Sequence, residues 1–405
     1  MSSEPPPPPP AAKPPSIPST TALATAADGT TTISSLGQDQ LLDIFLRLPN
    51  LPDLVRAALT CRPWLCAVRS SPSFRRLFRA LHPAPLLGIF LKVDDDTAPS
   101  FAPLRRSDPV VTAALRRGDF FLTSLPLDDA WTVTDCRDGY VLLWNTLWAV
   151  AVVNPMTWAV DVISFPDDVA DGSLSDFGFL GFHLLTSDEN PRSFRVVCLC
   201  ADVSRVRAAV FSSDTRGWAV HPWVEIGGEN SLKYGAGTMV DGSVYWPFYA
   251  EGRIIKINTA SSVDLPSHTT IDYTKDGHLC IVYASHDDFL LHVWIRGVDG
   301  DGIGIWVPQN ILSLSEEIGR VTRGWLGHLR VVQVRSGYVY LSMKCITPVG
   351  ILRCWFLFLS LETIKIESLI HGTFGDCAYP YVMAWPPCLI GCDGSSTGHE
   401  VEASH

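Results

Sequence analysis

From Leu36 to Leu81 the apolar positions recur with a helical period. Leu41, Ile44, Phe45 and Leu48 stand at i, i+3, i+4 and i+7, one stripe on about three turns. Pro49 stops that segment, and Pro52 is placed to open the next with Asp53 in its first turn. Leu54, Val55, Ala58 and Leu59 carry a second short helix, and a third begins near Pro63 and covers Trp64 to Val68. Ser71-Pro72 is an N-cap followed by a first-turn proline, after which Phe74, Leu77, Phe78 and Leu81 repeat the stripe. Pro83 and Pro85 end the helical part. Three or four helices over residues 36–82 make a unit too small for a self-sufficient core, so it needs a partner.

From Leu86 the pattern changes to short runs of Val, Ile, Leu, Trp and Tyr bounded by Gly, Asp, Asn and Ser, the mark of strands and turns. A turn followed by a strand recurs at Asp138-Gly139, Asp241-Gly242, Asp276-Gly277 and Ser336-Gly337. A strand, polar turn, strand unit answers it at Asn154–Trp158, Ser212–Trp218, Asn258–Ala260 and Ser360–Thr363. Glycine supplies the positive φ of a tight hairpin, and the Asx side chain bonds the local backbone. Paired strands at ~40–50 residues per unit predict a β-propeller of six or seven blades, with a pair of large β-sandwiches as the competing architecture. Trp218, Trp223 and Trp246 are expected to lock neighbouring blades, or else to line a binding surface.

Composition sharpens this picture. The chain has 405 residues, 47% of them hydrophobic, and a formal charge of −11 that argues against a nucleic-acid-coating surface. Residues 36–82 hold seven Arg against three Asp, a net of +4, which leaves −15 for the remainder. An arginine-rich face on short helices suits the steering of an acidic partner. The 11 cysteines are odd in number and lie mostly in apolar stretches, as buried thiols of a reducing compartment do. No Asn-x-Ser/Thr acceptor occurs. The longest apolar runs fall short of the ~18 residues of a membrane span. Residues 1–34 are rich in Pro, Ser and Thr, with Pro5 to Pro10 consecutive, and are expected to be a solvated leader. Residues 388–405 read as a flexible tail. The expected organisation is therefore leader 1–34, helical unit 35–82, strand unit 86–387 and tail 388–405.

Chemistry motifs are lacking. No phosphate-binding loop, dinucleotide fingerprint, G-x-S-x-G or H-E-x-x-H occurs. Asp94-Asp95-Asp96 and His286-Asp287-Asp288 read as solvated loops rather than metal sites. Cys388 and Cys392 supply only half of a zinc site. Cys198 and Cys200 share one strand face, which favours burial. The expectation is no catalytic residue, no cofactor and no metal.

Residues 36–64 resemble an F-box. The run reads Leu36-Gly37, Asp39, Gln40-Leu41, Ile44, Leu48-Pro49, Asp53-Leu54 and Cys61-Arg62-Pro63-Trp64. It departs from the usual pattern at Gly37, Gln40 and Pro63 and by one residue inserted around Asn50–Leu51. The tail Ser71–Leu77, the segment His82–Leu91 and the strand-rich remainder are together similar to grass F-box proteins with an associated β-propeller. That resemblance implies an α plus all-β multidomain chain, with a three-helix F-box before the propeller. It also implies a substrate receptor of an SCF-type ubiquitin ligase, docked through Skp1 onto a cullin and holding an unknown target protein, in the cytoplasm or nucleus. By the family's motif, Leu36, Leu41, Ile44, Leu48, Pro49, Leu54, Cys61 and Trp64 would contact Skp1. Two other functions stay open: a scaffold whose F-box no longer supports ubiquitin transfer, and a propeller hydrolase or lectin.

Overall fold

The computed structural model describes residues 36–92, 99–104, 109–126, 131–145, 149–165, 178–186, 193–201, 205–225, 238–240, 243–248, 253–257, 269–273, 279–284, 288–298, 304–335, 338–374 and 378–389. The leader, the three-acid run Asp94–Asp96, His286-Asp287 and the chain beyond Leu389 lie outside them.

Four helices form where the stripes predict them: α1 (Gln38–Leu46), α2 (Leu51–Ala58), α3 (Arg62–Arg69) and α4 (Pro72–Leu81). Each start has a visible cause. The Asn50 side chain accepts from the Asp53 amide at 3.0 Å, and the Ser71 hydroxyl accepts from the Phe74 amide at 3.3 Å, with prolines in the first turns of α2, α3 and α4. The stripes meet in one small core of Leu41, Phe45, Leu54, Ala58, Val68, Phe74 and Phe78. Buried Arg75 donates to the carbonyls of Val68 and Arg69, satisfying the end of α3. Four helices are present, within the three or four that the stripes predict and one more than the three-helix F-box of the resemblance, because Phe74 and Phe78 of α4 are part of the same core.

The rest is antiparallel strands in six sheets among the described residues. Strand β1 (Leu86–Leu91) pairs with β2 (Ser100–Pro103) in sheet A. Sheet B holds β3 (Trp131–Arg137), β4 (Tyr140–Asn145), β5 (Ala149–Asn154) and β6 (Ala159–Ser164). Sheet C holds β7 (Gly178–Thr186), β8 (Phe194–Ala201), β9 (Arg205–Ser212), β10 (Gly217–Val220) and β11 (Val224–Glu225). Sheet D holds β12 (Thr238–Val240), β13 (Ser243–Phe248) and β14 (Arg253–Ile257). Sheet E holds β15 (Thr269–Tyr273), β16 (Leu279–Ala284), β17 (Leu290–Val298) and β18 (Gly304–Ser313). Sheet F holds β19 (His328–Arg335), β20 (Tyr338–Ile346), β21 (Leu352–Ser360) and β22 (Ile366–Gly372).

The last strand, β23 (Ala378–Val382), returns to sheet A and pairs antiparallel with β1, with Phe90 opposite Tyr379 and Leu86 opposite Val382. The two ends of the strand region are thus tied in one sheet. Apolar cores join sheets A to B, B to C, A to F and E to F. Sheet D lies against β15 of sheet E. Trp218 does what its position predicts: it stacks on Phe165 at 5.2 Å and donates to the Ser164 carbonyl, bridging sheets B and C. Trp223 lies under the Arg205 and Arg207 guanidinium groups. The Trp246 side chain lies outside the described residues.

Turn chemistry follows the sequence at the Asp138-Gly139 hairpin; Asp241-Gly242, Asp276-Gly277, Ser336-Gly337 and Asn258–Ala260 lie outside the described residues. Asp138 and Gly139 both have positive φ, at 45° and 83°, as a two-residue hairpin turn between right-twisted strands demands. A Cβ on Gly139 would stand 2.3 Å from the Ala384 methyl, so this glycine is needed for space as well. At three hairpins, a Thr is followed by a non-glycine residue in the left-handed region: Trp158, Arg216 and Ile364. Two helices interrupt the strand region without having been foreseen: α5 (Pro109–Arg117) and α6 (Ser315–Thr322). The first buries Val111 and Ala114 between sheets A and B, and the second buries Ile318 between E and F.

Candidate docking face of the helical unit

The helical unit is fastened to the strand region at its base. After β23, Trp385 enters the helical core, its ring meeting Phe78 edge-on at 6.0 Å under the Arg79 guanidinium at 5.0 Å. Leu389 is fully buried in the same core, and Arg69 Nε donates to the Cys388 carbonyl at 2.9 Å. Cys388 and Leu389 therefore belong to the ordered clasp, although composition alone assigns them to a flexible tail. A residue with no partner in its own unit is visible in sequence; where it docks is not.

With one side occupied by the clasp, the motif residues divide. Leu41 and Leu54 are buried in the helical unit's own core and present no surface in this conformation. Ile44 and Pro49 are exposed, at the C-terminal end of α1 and just after it. Leu36, Leu48, Cys61 and Trp64 are half-buried, and Cys61 is the N-cap of α3. Trp64 meets Phe45 edge-on at 5.6 Å, so one part of the indole closes the core and the other faces outward. Three further large apolar side chains are exposed that the motif did not mark: Leu59 at the end of α2, and Leu77 and Leu81 one turn apart on α4. The stripe Phe74, Leu77, Phe78, Leu81 spans about 100° of arc, the ordinary width of a core-facing stripe, so the sequence carried no signal that Leu77 and Leu81 stay outside.

Elsewhere the polar groups serve the fold. Asp135 on β3 lies with one carboxylate oxygen 3.2 Å from His183 Nδ1 and 3.0 Å from the Leu184 amide, pinning β3 to β7. Burial pushes its carboxyl up, but the Arg137 guanidinium and the bonds from His183 and Leu184 win and bring it down to about 2. Tyr381 donates to the Gly139 carbonyl at 2.9 Å, and burial holds its phenol well above the usual range. Cys198 and Cys200 are both buried on one face of β8 with their sulfurs 3.7 Å apart, and burial keeps the Cys198 thiol protonated. Among the described residues, no three His, Cys, Asp or Glu side chains gather closely enough to hold a metal ion. None of the described helices is long and apolar enough to cross a membrane.

No protein-family model and no curated protein matches this chain. Among solved structures, it is similar to an oligogalacturonate lyase from Vibrio parahaemolyticus at 10% identity and TM-score 0.34, over 57% of this chain and 62% of that one. The chain thus spans less than two thirds of the lyase. It is also similar to an arginine-to-alanine mutant of AofleA from Arthrobotrys oligospora, at 11% identity and TM-score 0.33, over 63% and 77% of the two chains. A protein of unknown function from Desulfotomaculum acetoxidans gives 9% identity and TM-score 0.36, over 70% and 79%.

Proposed function

We propose that this chain is the substrate-receptor subunit of an SCF-type ubiquitin ligase, working in the cytoplasm or nucleus without catalytic residues of its own. The helical unit takes up Skp1 and, through it, a cullin. The six sheets are the blades of a β-propeller, completed between sheets C and D and tied by the β1–β23 pairing. The propeller holds the target protein.

The observation that carries the reading is the division of the helical unit. Its inner side is filled by Trp385 and Leu389, while Ile44, Leu59, Leu77 and Leu81 remain exposed on a unit of only four short helices. Large apolar side chains left in water on so small a body mark an interaction surface. The half-exposed Trp64 indole is suited to anchor it, since buried aromatic anchors dominate such interfaces. The mechanism is tethering: holding the target beside the ubiquitin-charged enzyme raises the effective concentration of its lysines.

Co-expression of the full chain with Skp1, followed by size-exclusion chromatography, tests this. A stable one-to-one complex, lost in Ile44→Asp, is the expected result. A chain that elutes alone beside a Skp1 competent for a control F-box overturns the ligase assignment.

A further inference from the structure

The core between sheets B and C is apolar except beside the β8–β9 turn, where two thiols meet a guanidinium. Cys198 and Cys200 stand two apart on β8, so both side chains leave the same face of the strand. Their sulfurs lie 3.7 Å apart, in contact without a disulfide. Cys198 is fully buried and Cys200 is 5% exposed. Arg207 is the register partner of Cys200 across β8 and β9, and its guanidinium is hydrogen-bonded to the Cys200 sulfur. The same guanidinium lies 4.6 Å from the centre of the Trp223 ring, with that of Arg205 at 4.9 Å. Trp223 and Arg207 are both partly exposed, so this end of the core borders solvent.

A thiol buried as a small hydrophobe needs no cation beside it. A guanidinium on the sulfur favours the thiolate, the form that acts as a nucleophile and as a metal ligand. The strand decides between disulfide formation and metal binding. Same-face neighbours on a strand have Cα atoms about 6.7 Å apart, at the far limit of the roughly 4.4–6.8 Å that a disulfide spans. Strand β8 is paired on both sides, to β7 and β9, and is not free to shorten. The pair therefore stays as two separate sulfurs. Two metal–sulfur arms of about 2.3 Å at a tetrahedral angle set their sulfurs about 3.8 Å apart, which is close to the spacing found here.

The number of donors selects the ion. A structural zinc takes four ligands, and among the described residues no third His, Cys, Asp or Glu joins the pair. Of the soft cations that thiolates prefer, Cu(I) is the one that two sulfurs satisfy. Linear coordination opens the sulfurs to about 4.4 Å, which a small rotation of each side chain supplies. Binding forms two Cu–S bonds, sends the thiol protons to solvent and changes no oxidation state. Two thiolates around one Cu(I) leave a single negative charge, and the Arg207 guanidinium faces it.

We infer that Cys198 and Cys200 form a two-coordinate site for a soft monovalent cation, Cu(I), with Arg207 as its counter-charge. The site does not depend on the receptor reading above. The full chain is loaded with Cu(I) without oxygen and exchanged against a chromophoric Cu(I) chelator, and X-ray absorption is recorded at one equivalent. Because the chain has other cysteines, the difference between variants is the readout. The wild type should keep one equivalent that Cys198→Ser/Cys200→Ser gives up, in a shell of two sulfurs. Arg207→Gln leaves both thiols in place and should weaken retention at least about tenfold. It keeps the test decisive if the double serine variant melts early. Equal retention by the wild type and a folded double variant, a shell with a third sulfur or a nitrogen, or unchanged affinity in Arg207→Gln would each overturn the inference. Displacement of the Cu(I) by an equal concentration of Zn(II) would do so as well.

Discussion

Replacing Trp385 by Ala should loosen the helical unit at its seam with the strand region, raising local opening of α4 while the strand region stays folded. The indole is only 8% exposed, wedged between Phe78 and the Arg79 guanidinium. A buried Trp removes about 200 Å² from water, which at about 25 cal/mol per Å² comes to about 5 kcal/mol. Truncation of large aromatic side chains costs about 3–5 kcal/mol in practice, and water reaching an inter-unit gap favours the lower end. A loss of about 3 kcal/mol raises opening-limited amide exchange roughly 100-fold. Hydrogen exchange of Phe78, Arg79 and His82 amides in α4 is the assay, with the β1–β23 amides as the internal reference. Trp385→Phe should lose much less, because the indole N–H has no partner among the described residues and its removal breaks no bond. Exchange in α4 within threefold of the wild type, with Trp385→Ala verified, would refute the clasp.

Three other outcomes follow from the same physics. Asp135 has its folded pKa held at about 2, below the ~3.9 of an unfolded carboxyl, so its stabilisation is complete above about pH 4 and lost as pH falls through 2. That shift is worth about 2–3 kcal/mol, and urea unfolding across this window should show the acid slope in the wild type and a flatter one in Asp135→Asn. Gly139→Ala should lower stability by about 2 kcal/mol or more in denaturant melts, from positive φ and the clash with Ala384. Asp119→Ala should cost about 2 kcal/mol, because one carboxylate accepts from the amides and hydroxyls of Thr123 and Ser124, each at 3.0 Å. A melt shifted by less than one degree would contradict either assignment.

What the sequence made legible was local. Pro49, Pro52 and Ser71-Pro72 place helix ends by φ restriction and capping, and Asp138-Gly139 places a hairpin by its need for positive φ. What it hid was pairing over distance. Leu86 meets Val382, Asp135 meets His183, and Trp385 meets Phe78, and no periodicity connects such positions. Helix α6 was hidden for another reason: eight residues with Ile318 as the deepest apolar contact carry too few repeats for a period to be read. The division of the motif residues has a geometric cause. At 100° per residue, Ile44 lies about 60° from Leu41 on the side opposite Phe45 and Leu42, so the core takes one edge of the stripe and leaves Ile44 outside. A motif names the stripe; only packing decides which edge faces a partner.

Titration of the full chain with Skp1 by calorimetry, alongside Ile44→Asp and, as a control in an exposed turn of the strand region, Val349→Asp, tests the central claim most directly. The account predicts sub-micromolar one-to-one binding for the wild type and for Val349→Asp, and no measurable heat for Ile44→Asp. No binding by the wild type to a Skp1 that binds a control F-box, or equal binding by Ile44→Asp, would contradict it.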